Sequence, residues 1–433
     1  MSTTVPKRMT VIQATFIGVG SMVGAGIFAL LGAAGAVAGS AVWLSFLIAG
    51  VIAALQGYSF AKLGATYPSG GGMLAYLARG FGEGHVTGIF SWLFYVTGAI
   101  VAAMVASSFG GYASAVVAHD SPTAATLFAV ALVLVMSLLN VVGSTAVARV
   151  QSAIVKVVLA ILGVFAIVTI ANWDPALLDP AGYPGVREII ASVALTFFAF
   201  LGFGVITFTA KDLPQPSRQL PRAMYLALAI ATTVYVAVSL GVFGTLTADQ
   251  VVAYGATALA EAAKPTLGQL GYVLMVITAL FSTAGAVNAS LYPSTGMTQH
   301  LAEVGQFPPV FGRTLSRWKA SIGLLVMAGL TVIMVLALDL NSIASLGSAV
   351  ALLIFSAVTT AHFRVHRETG AKLFMLVIAL IATLGTFVVF CTTTLVNEPK
   401  TTFALLVILA LALIADLLWK RTRTRREREI PTS

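Results

Sequence analysis

The chain has 433 residues, of which 59% are hydrophobic and only 9% are charged, and its mean hydropathy is +0.98. A soluble domain needs a far more charged surface, so this composition excludes one and predicts a single membrane domain. The formal net charge of +9 is better explained by membrane topology than by nucleic-acid binding, since no zinc pattern or recognition helix accompanies it.

Twelve apolar runs of about 18 residues or more predict an all-α polytopic membrane protein. The predicted spans lie near residues 11–36, 40–64, 86–117, 124–147, 150–172, 188–210, 223–246, 268–299, 321–339, 341–363, 372–394 and 401–419. The joint at Val142–Arg149 is the least sharply marked boundary. The first run is longer than the core of a signal peptide, so we expect it to be retained. The single cysteine, Cys391, excludes an intramolecular disulfide.

The basic residues are distributed unequally between the two sides of these spans. Twenty of the 24 lysines and arginines fall on the two tails and on the loops that share their side. By the positive-inside rule that side is cytoplasmic, so we expect a multi-pass protein of the cytoplasmic (inner or plasma) membrane with both termini in the cytoplasm. The basic tail over residues 420–433 is expected to anchor this topology, with binding of anionic lipid headgroups as the alternative.

The first span is unusually rich in glycine, with six glycines between Thr15 and Gly35. Each glycine weakens a helix by about 1 kcal/mol relative to alanine. A bilayer tolerates a broken helix only where it lines a protein cavity, so we expect a break around Gly20–Gly24 that frees backbone groups for a ligand. The alternative is close helix packing, because Gly20 and Gly24 form a GxxxG pair.

The sixth span carries a weaker interruption at Gly202–Gly204, five spans after the first. Interrupted spans at matching places in two halves are typical of inverted-repeat transporters with a binding site near the bilayer midplane. We therefore expect two repeats, residues 11–172 and 188–363, followed by two additional helices over residues 372–419.

Three motifs resemble those of the amino acid–polyamine–organocation (APC) transporter superfamily. GVGSMVGAGIF at Gly18–Phe28 is similar to its first-helix motif, and PSGGGMLAYL at Pro68–Leu77 to its GG-x-Y-x-Y-L loop. Phe197–Met224 is similar to its sixth-helix signature, although the loop after that helix departs from the usual form at residues 211–216. The resemblance implies a LeuT-type core, a 5+5 inverted repeat of ten helices with spans 1 and 6 broken.

The resemblance also implies how a zwitterionic amino acid is held. Backbone N–H groups at the start of the second half of span 1 would bind the carboxylate, because a helix N-terminus carries a partial positive charge. Carbonyls freed at both breaks would accept from the ammonium group, and an aromatic side chain of span 6 would close over the substrate. The expected binding residues are Met22, Ala25, Gly26, Phe198, Ala199 and Leu201, with Phe198 and the nearby Phe200 as the gate. Gly204 stands where several relatives carry an acidic residue, which favours substrates with small or apolar side chains.

Lys156 is the one basic residue well inside a predicted span, about 10 Å beyond Arg149 at 1.5 Å per residue. Its helical face also carries Ser152, Ala160 and Gly163, and such small or polar neighbours favour an orientation into the bundle over snorkelling to the interface.

A lysine in the fifth span also resembles that of the proton-coupled, sodium-independent amino-acid branch of the superfamily. There the ammonium group stands where sodium sits in sodium-driven relatives. The resemblance implies that Lys156 would be tied to a carbonyl near Gly20 and to the hydroxyl of Ser282 or Thr283. The alternative for those two hydroxyls is a hydrogen bond within their own helix.

The sequence thus predicts a secondary transporter that imports amino acids with protons by alternating access, without a cofactor. The alternatives in the same class are an amino-acid exchanger and a polyamine or cationic-compound permease. Outside it, a channel would need a ring of charges, and an intramembrane enzyme would need paired acid/base or metal-binding groups. The expected partners are the amino-acid substrate, protons and the lipid bilayer, with no nucleic acid; the oligomeric state is not predicted.

Overall fold

The computed structural model describes residues 9–69, 71–142, 145–315 and 320–429, apart from the side chains of residue 25, residues 145–152 and residues 424–429. The described chain is almost entirely helical, as a bilayer requires of backbone that must satisfy its own hydrogen bonds. The helices are α1 (Val11–Ala38), α2 (Val42–Thr66), α3 (Gly72–Phe81), α4 (His85–Val117), α5 (Pro122–Val142), α6 (Thr145–Ala171), α7 (Val186–Phe198), α8 (Pro216–Phe243), α9 (Ala248–Tyr254), α10 (Ala258–Glu261), α11 (Lys264–Leu291), α12 (Pro293–Glu303), α13 (Ile322–Ala337), α14 (Leu340–Thr369), α15 (Leu373–Thr393) and α16 (Pro399–Glu429). A long 3-10 helix (Leu201–Asp212) follows α7, and the short strands β1 (Thr314–Leu315) and β2 (Ala320–Ser321) pair antiparallel.

The predicted all-α membrane fold is confirmed. Ten helical stretches among the described residues are long and apolar enough to cross a membrane. One of them, Gly26–Thr66, joins the end of α1 to α2, and Val11–Gly24 and α13 are shorter apolar helices. Every predicted span therefore coincides with helix. The uncertain joint falls between α5, which ends at Val142, and α6, which begins at Thr145.

Burial separates a central group of helices from a peripheral one. In α14 and in the segment Val186–Asp212, 89% and 78% of the most apolar stretch is buried, compared with 22–28% in α5, α6, α15 and α16. The outer helices carry exposed apolar side chains such as Leu138, Ile167 and Ile381. Exposed apolar surface on this scale is stable against lipid and not against water, so the outer helices face the bilayer.

Several helix ends follow directly from local sequence. Thr10 caps α1 by accepting from the Gln13 N–H at 3.2 Å, while the Gln13 side chain accepts from the Thr10 N–H at 2.9 Å. Asp339 caps α14 in the same way through the Ser342 N–H at 2.9 Å. Gly370 ends α14 in the left-handed conformation, with φ at 62°, which glycine adopts without steric cost.

The predicted break in the first span is wrong, because α1 runs as one helix of 28 residues. Its glycines serve close packing instead, which was the alternative interpretation. A methyl group added at Gly20 would lie 2.6 Å from the Val155 side chain, and one added at Gly24 would lie 2.8 Å from Ala286. These approaches are possible only without a Cβ, so the glycines let neighbouring helices touch the α1 backbone.

The sixth span is interrupted as predicted, but about three residues before Gly202–Gly204. Here α7 ends at Phe198, a turn covers Ala199 and Phe200, and the chain continues as the 3-10 helix. The Tyr235 hydroxyl on α8 donates to the Ala199 carbonyl at 3.1 Å, which gives a polar partner to backbone released by the turn. We call Ala199–Phe200 the span-6 break.

One end of the bundle collects the chain segments that carry most basic residues. The Met9 N–H donates to the Asp212 carbonyl at 3.0 Å, Arg364 donates to the Gly80 carbonyl at 3.3 Å, and Arg423 donates to the Gly305 carbonyl at 3.3 Å. The start of the described chain, three connecting segments and α16 therefore meet there, and we call this the basic end.

Candidate functional site

A cavity of about 1050 Å³ lies inside the bundle, between α1, α4, the 3-10 helix and α11. Gly71, Thr209 and His300 line it toward the basic end, and its lining includes the exposed residues Ile17 and Gly296. A cavity of this size is large enough for a small organic molecule together with water.

The inner end of the cavity is the crossing of α1 and the span-6 break. The α1 side of this end is formed by Gly20 and Ser21. The opposite side is formed by Phe198, Ala199, Leu201 and Gly202. A methyl group at Gly202 would lie 2.6 Å from the Met22 backbone nitrogen, so the two backbones are in direct contact. The sixth span therefore brings main-chain atoms, and not only side chains, to the cavity wall.

Two helix ends meet at the span-6 break. The 3-10 helix begins at Leu201, with the Phe203 N–H donating to the Phe200 carbonyl at 3.1 Å, and the first N–H groups of a helix have no acceptor within that helix. The C-terminus of α7, at Phe198, carries the partial negative charge of its last carbonyls. Donors and acceptors thus lie a few residues apart on a surface that lines the cavity.

The structure places three of the predicted binding residues at this wall. Phe198, Ala199 and Leu201 line the cavity. The ring of Phe198, only 2% exposed, packs against Gly347 of α14, where a methyl group would collide with it. Phe198 therefore fills the space between the cavity and α14.

The other predicted binding and gate residues lie elsewhere. Met22 and Phe200 are fully buried and outside the cavity lining, and Phe200 packs edge-on against Tyr235, with ring centroids 5.1 Å apart. Gly26 contacts Ala199 and Tyr235, at 2.6 Å from an added methyl group. Ala25 lies within α1, and its side chain is outside the described residues. The prediction of these positions assumed a broken α1, and the continuous helix keeps their backbone groups within it.

The predicted orientation of Lys156 is also wrong. Its side chain is exposed, as is Ala160, and Gly163 has no neighbour within 4 Å of an added methyl group. The buried face of α6 carries Val158 and Leu162 instead. Ser152 has its side chain outside the described residues.

The expected partners of Lys156 are occupied by other contacts. The Lys156 ammonium lies 5.5 Å from the ring centroid of Phe16 on α1, its one side-chain partner among the described residues. Val155, the preceding residue, faces Gly20. Ser282 lies against Gly24, and the Thr283 hydroxyl donates to the Ala279 carbonyl within α11 at 2.6 Å, as the alternative interpretation proposed.

The cavity wall is largely apolar, with scattered polar side chains and no charged ones among the described residues. Among the described residues its lining contains no aspartate, glutamate, lysine or arginine. The polar side chains that line it are Ser21, Thr97, Asn140, Thr209, Asn288, Ser290, Tyr292 and His300. A multiply charged ligand such as a polyamine would lose its hydration without meeting a counter-charge, so the lining favours a ligand with no net charge.

Sequence reasoning missed two polar pairs. Asn140 on α5 and Asn288 on α11 are joined across the cavity wall, and the available signal was an asparagine inside each of two apolar runs. The second pair lies at the basic end, where Asp416 on α16 is fully buried. One oxygen of its carboxyl group is hydrogen-bonded to His85 Nδ1 at 2.6 Å, and the other lies 3.3 Å from the Lys420 ammonium. That pair ties α16 to the start of α4, and no local pattern identified it.

Comparison with known proteins assigns the chain to a family. A family model described as amino acid permease matches residues 9–417. The chain belongs to the amino acid permease family. This permease is therefore a multi-pass membrane transporter and not an enzyme, and the superfamily resemblance of its motifs is confirmed.

Relatives of the permease are named as transporters, and two of the three names below give different substrates. It is 32% identical over 411 residues to the inner membrane transport protein YbaT of Escherichia coli, covering 94% of this chain and 95% of that protein. It is 25% identical over 339 residues to the methylthioribose transporter of Bacillus subtilis, covering 73% and 72%. It is 27% identical over 379 residues to the vacuolar cationic amino acid transporter 2 of Arabidopsis thaliana, covering 81% of this chain and 58% of that one.

Proposed function

We propose that this permease is a secondary transporter that imports an amino acid, bound as a zwitterion at the inner end of the cavity. The observation that carries the proposal is the span-6 break, where the C-terminus of one helix and the N-terminus of the next lie together at an uncharged cavity. A zwitterion needs one group of each kind and no side-chain counter-ion. The family description supports the same substrate class.

In this proposal the groups of the break have separate tasks. The N–H groups of Leu201 and Gly202 donate to the substrate carboxylate, and the carbonyl of Phe198 at the end of α7 accepts from the ammonium group. The Phe198 ring closes the site toward the opposite side of the membrane. The site therefore rests on span 6, with the α1 backbone at Gly20 and Ser21 as the facing wall.

The binding test uses purified permease and a panel of small molecules. We expect one or more of the twenty amino acids to raise the melting temperature, and common polyamines not to. For each amino acid that binds, its methyl ester lacks the carboxylate and its N-acetyl derivative lacks the ammonium group. Each should bind at least tenfold more weakly, since a charged hydrogen bond is worth about 1.5–3 kcal/mol. Equal binding of the ester would refute the task assigned to Leu201 and Gly202.

For the driving force we propose proton symport by alternating access between the two repeats, with amino-acid exchange as the alternative. The basic end would face the cytoplasm, as the positive-inside rule requires. The Lys156 ammonium lies beside Phe16 of the cavity wall, and in this proposal it couples proton movement to substrate movement.

The coupling test compares Lys156→Ala with Lys400→Ala, a lysine on the opposite side, in proteoliposomes. We expect Lys156→Ala to bind and exchange substrate but to lose accumulation driven by a pH gradient, and Lys400→Ala to keep it. Accumulation by Lys156→Ala would exclude Lys156 as the proton carrier. Wild-type uptake that requires internal amino acid and ignores the pH gradient would establish exchange instead.

A further inference from the structure

The cavity wall contains a pair of carboxamide side chains that the proposed backbone site does not use. Asn140 on α5 lies opposite Asn288 on α11, and both line the cavity. Asn140 Nδ2 donates to the Met136 carbonyl and to Asn288 Oδ1, each at 2.8 Å. Because a main-chain carbonyl can only accept, the Met136 contact fixes which atom of Asn140 is the nitrogen, and hence which atom of Asn288 faces it.

This arrangement uses both Asn140 amide hydrogens and leaves two other groups without a partner. Within the described residues, nothing donates to Asn140 Oδ1 and nothing accepts from Asn288 Nδ2, although Asn288 is only 7% exposed. Neither atom is among the buried polar atoms that lack a partner, so both are open to the cavity, where a ligand or water can complete them. An acceptor and a donor therefore stand side by side at the cavity surface.

The pair is placed to reach the side chain of a bound amino acid. Gly24 of α1 lies against Ala286 of α11, and the two helices belong to spans that run in opposite directions. Asn288 lies two residues beyond Ala286, about 3 Å along the axis toward the basic end. That displacement brings it toward the level of Ser21, which lines the inner end of the cavity.

We propose that Asn140 and Asn288 are specificity-determining residues that recognise an uncharged carboxamide side chain, that of glutamine or asparagine. A primary amide presents a carbonyl to Asn288 Nδ2 and an N–H to Asn140 Oδ1, so it satisfies both groups at once. A carboxylate would face the Asn140 oxygen, and an alkyl group would leave both polar groups unpaired. The inference rests on the proposed zwitterion site, and it replaces the sequence-based expectation of a small or apolar side chain.

The experiment measures the ratio of glutamine to leucine affinity by competition on purified permease. In the wild type, glutamine should bind about tenfold more tightly than leucine, since each net hydrogen bond contributes about three- to tenfold. In Asn288→Leu the ratio should fall to about one or invert, mainly through weaker glutamine binding. The matched control is Asn172→Leu. Like Asn140, Asn172 donates to the carbonyl four residues before it, that of Val168, but it is exposed and does not line the cavity.

A probe of the wild type keeps the test independent of whether Asn288→Leu folds. The side-chain N,N-dimethyl amide of glutamine retains the carbonyl and loses the N–H groups, so it should bind at least threefold more weakly than glutamine. Wild-type preference for leucine, or an equal loss of glutamine and leucine affinity in Asn288→Leu, would overturn this inference and leave the zwitterion site standing. If no amino acid binds the wild type, the proposed function fails and the inference with it.

Discussion

The contact between Gly202 and the α1 backbone predicts a specific effect of Gly202→Ala. An ideal Cβ at Gly202 lies 2.6 Å from the Met22 nitrogen and 2.7 Å from the Ser21 carbonyl carbon. Ordinary contacts of a Cβ begin near 3.4 Å, so α1 and the 3-10 helix would have to separate by about 0.8 Å. Both contacting atoms are main-chain atoms of a continuous helix, so no side-chain rotation can relieve the clash. Overpacking of this kind costs about 1–3 kcal/mol.

The assay is thermal unfolding of purified Gly202→Ala together with substrate binding. We expect a lower melting temperature and weaker binding, because the separation opens the inner end of the cavity where the proposed zwitterion site lies. The matched control is Gly163→Ala on α6, where nothing lies within 4 Å of the added methyl group. There alanine should be neutral or stabilising by up to about 1 kcal/mol, as expected in a helix. A Gly202→Ala protein that melts and binds like the wild type would refute the direct contact between α1 and span 6.

Three further predictions concern the groups that fix these elements. Tyr235→Phe removes the donor to the buried Ala199 carbonyl and should destabilise the protein by about 1–3 kcal/mol, measured by thermal unfolding. The control, Tyr58→Phe, removes an exposed hydroxyl that accepts from the Lys372 N–H and should cost less. Burial tends to raise the pKa of Asp339, but hydrogen bonds from Ser342 outweigh it and hold the pKa below its usual value. The stability that this cap contributes is therefore present above the unfolded pKa, near 3.9, and is lost as the pH falls through the folded pKa. Asp339→Ala should lower the free energy of unfolding by about 1 kcal/mol at pH 7, and in acid its stability should converge with that of the wild type. Hydrogen exchange should be faster at the N–H groups of Leu201 and Gly202, beside the change of helix type, than at those of Gly24 and Gly26 inside α1, and equal protection would contradict a weakened main chain at the span-6 break.

Much of the fold could be predicted because a bilayer imposes simple rules. Apolar length placed every predicted span on helix among the described residues, and charge indicated which connecting segments lie at the basic end. The motifs assigned the family correctly. The division into two repeats depends on how halves of the chain superimpose in space, which neither length nor charge specifies, and it stays a prediction.

The candidate site was harder to predict because glycine has two opposite uses in a membrane helix. In the sequence, Gly20 and Gly24 are equally consistent with a helix break and with a packing surface. The structure shows packing, because the side chains of Val155 and Ala286 lie directly against these glycines. The helical face of Lys156 was predicted to be packed and is exposed, because small neighbours such as Ala160 are compatible with either environment. Asn140 and Asn288 are 148 residues apart in sequence, so no local pattern could pair them.

A continuous α1 changes where the flexibility needed for alternating access has to lie. Unwinding α1 would break hydrogen bonds that a bilayer cannot replace, whereas its glycines give it smooth contacts with α6 at Gly20 and α11 at Gly24. Smooth contacts permit a rigid helix to tilt or slide at small cost, because no side chain has to be withdrawn from a neighbour. The span-6 break, in contrast, already has two helix ends and a change of helix type at Ala199–Phe200. If substrate bridges these two helix ends, binding itself would stiffen a segment that is able to bend, and this links occupancy of the site to the movement that closes it.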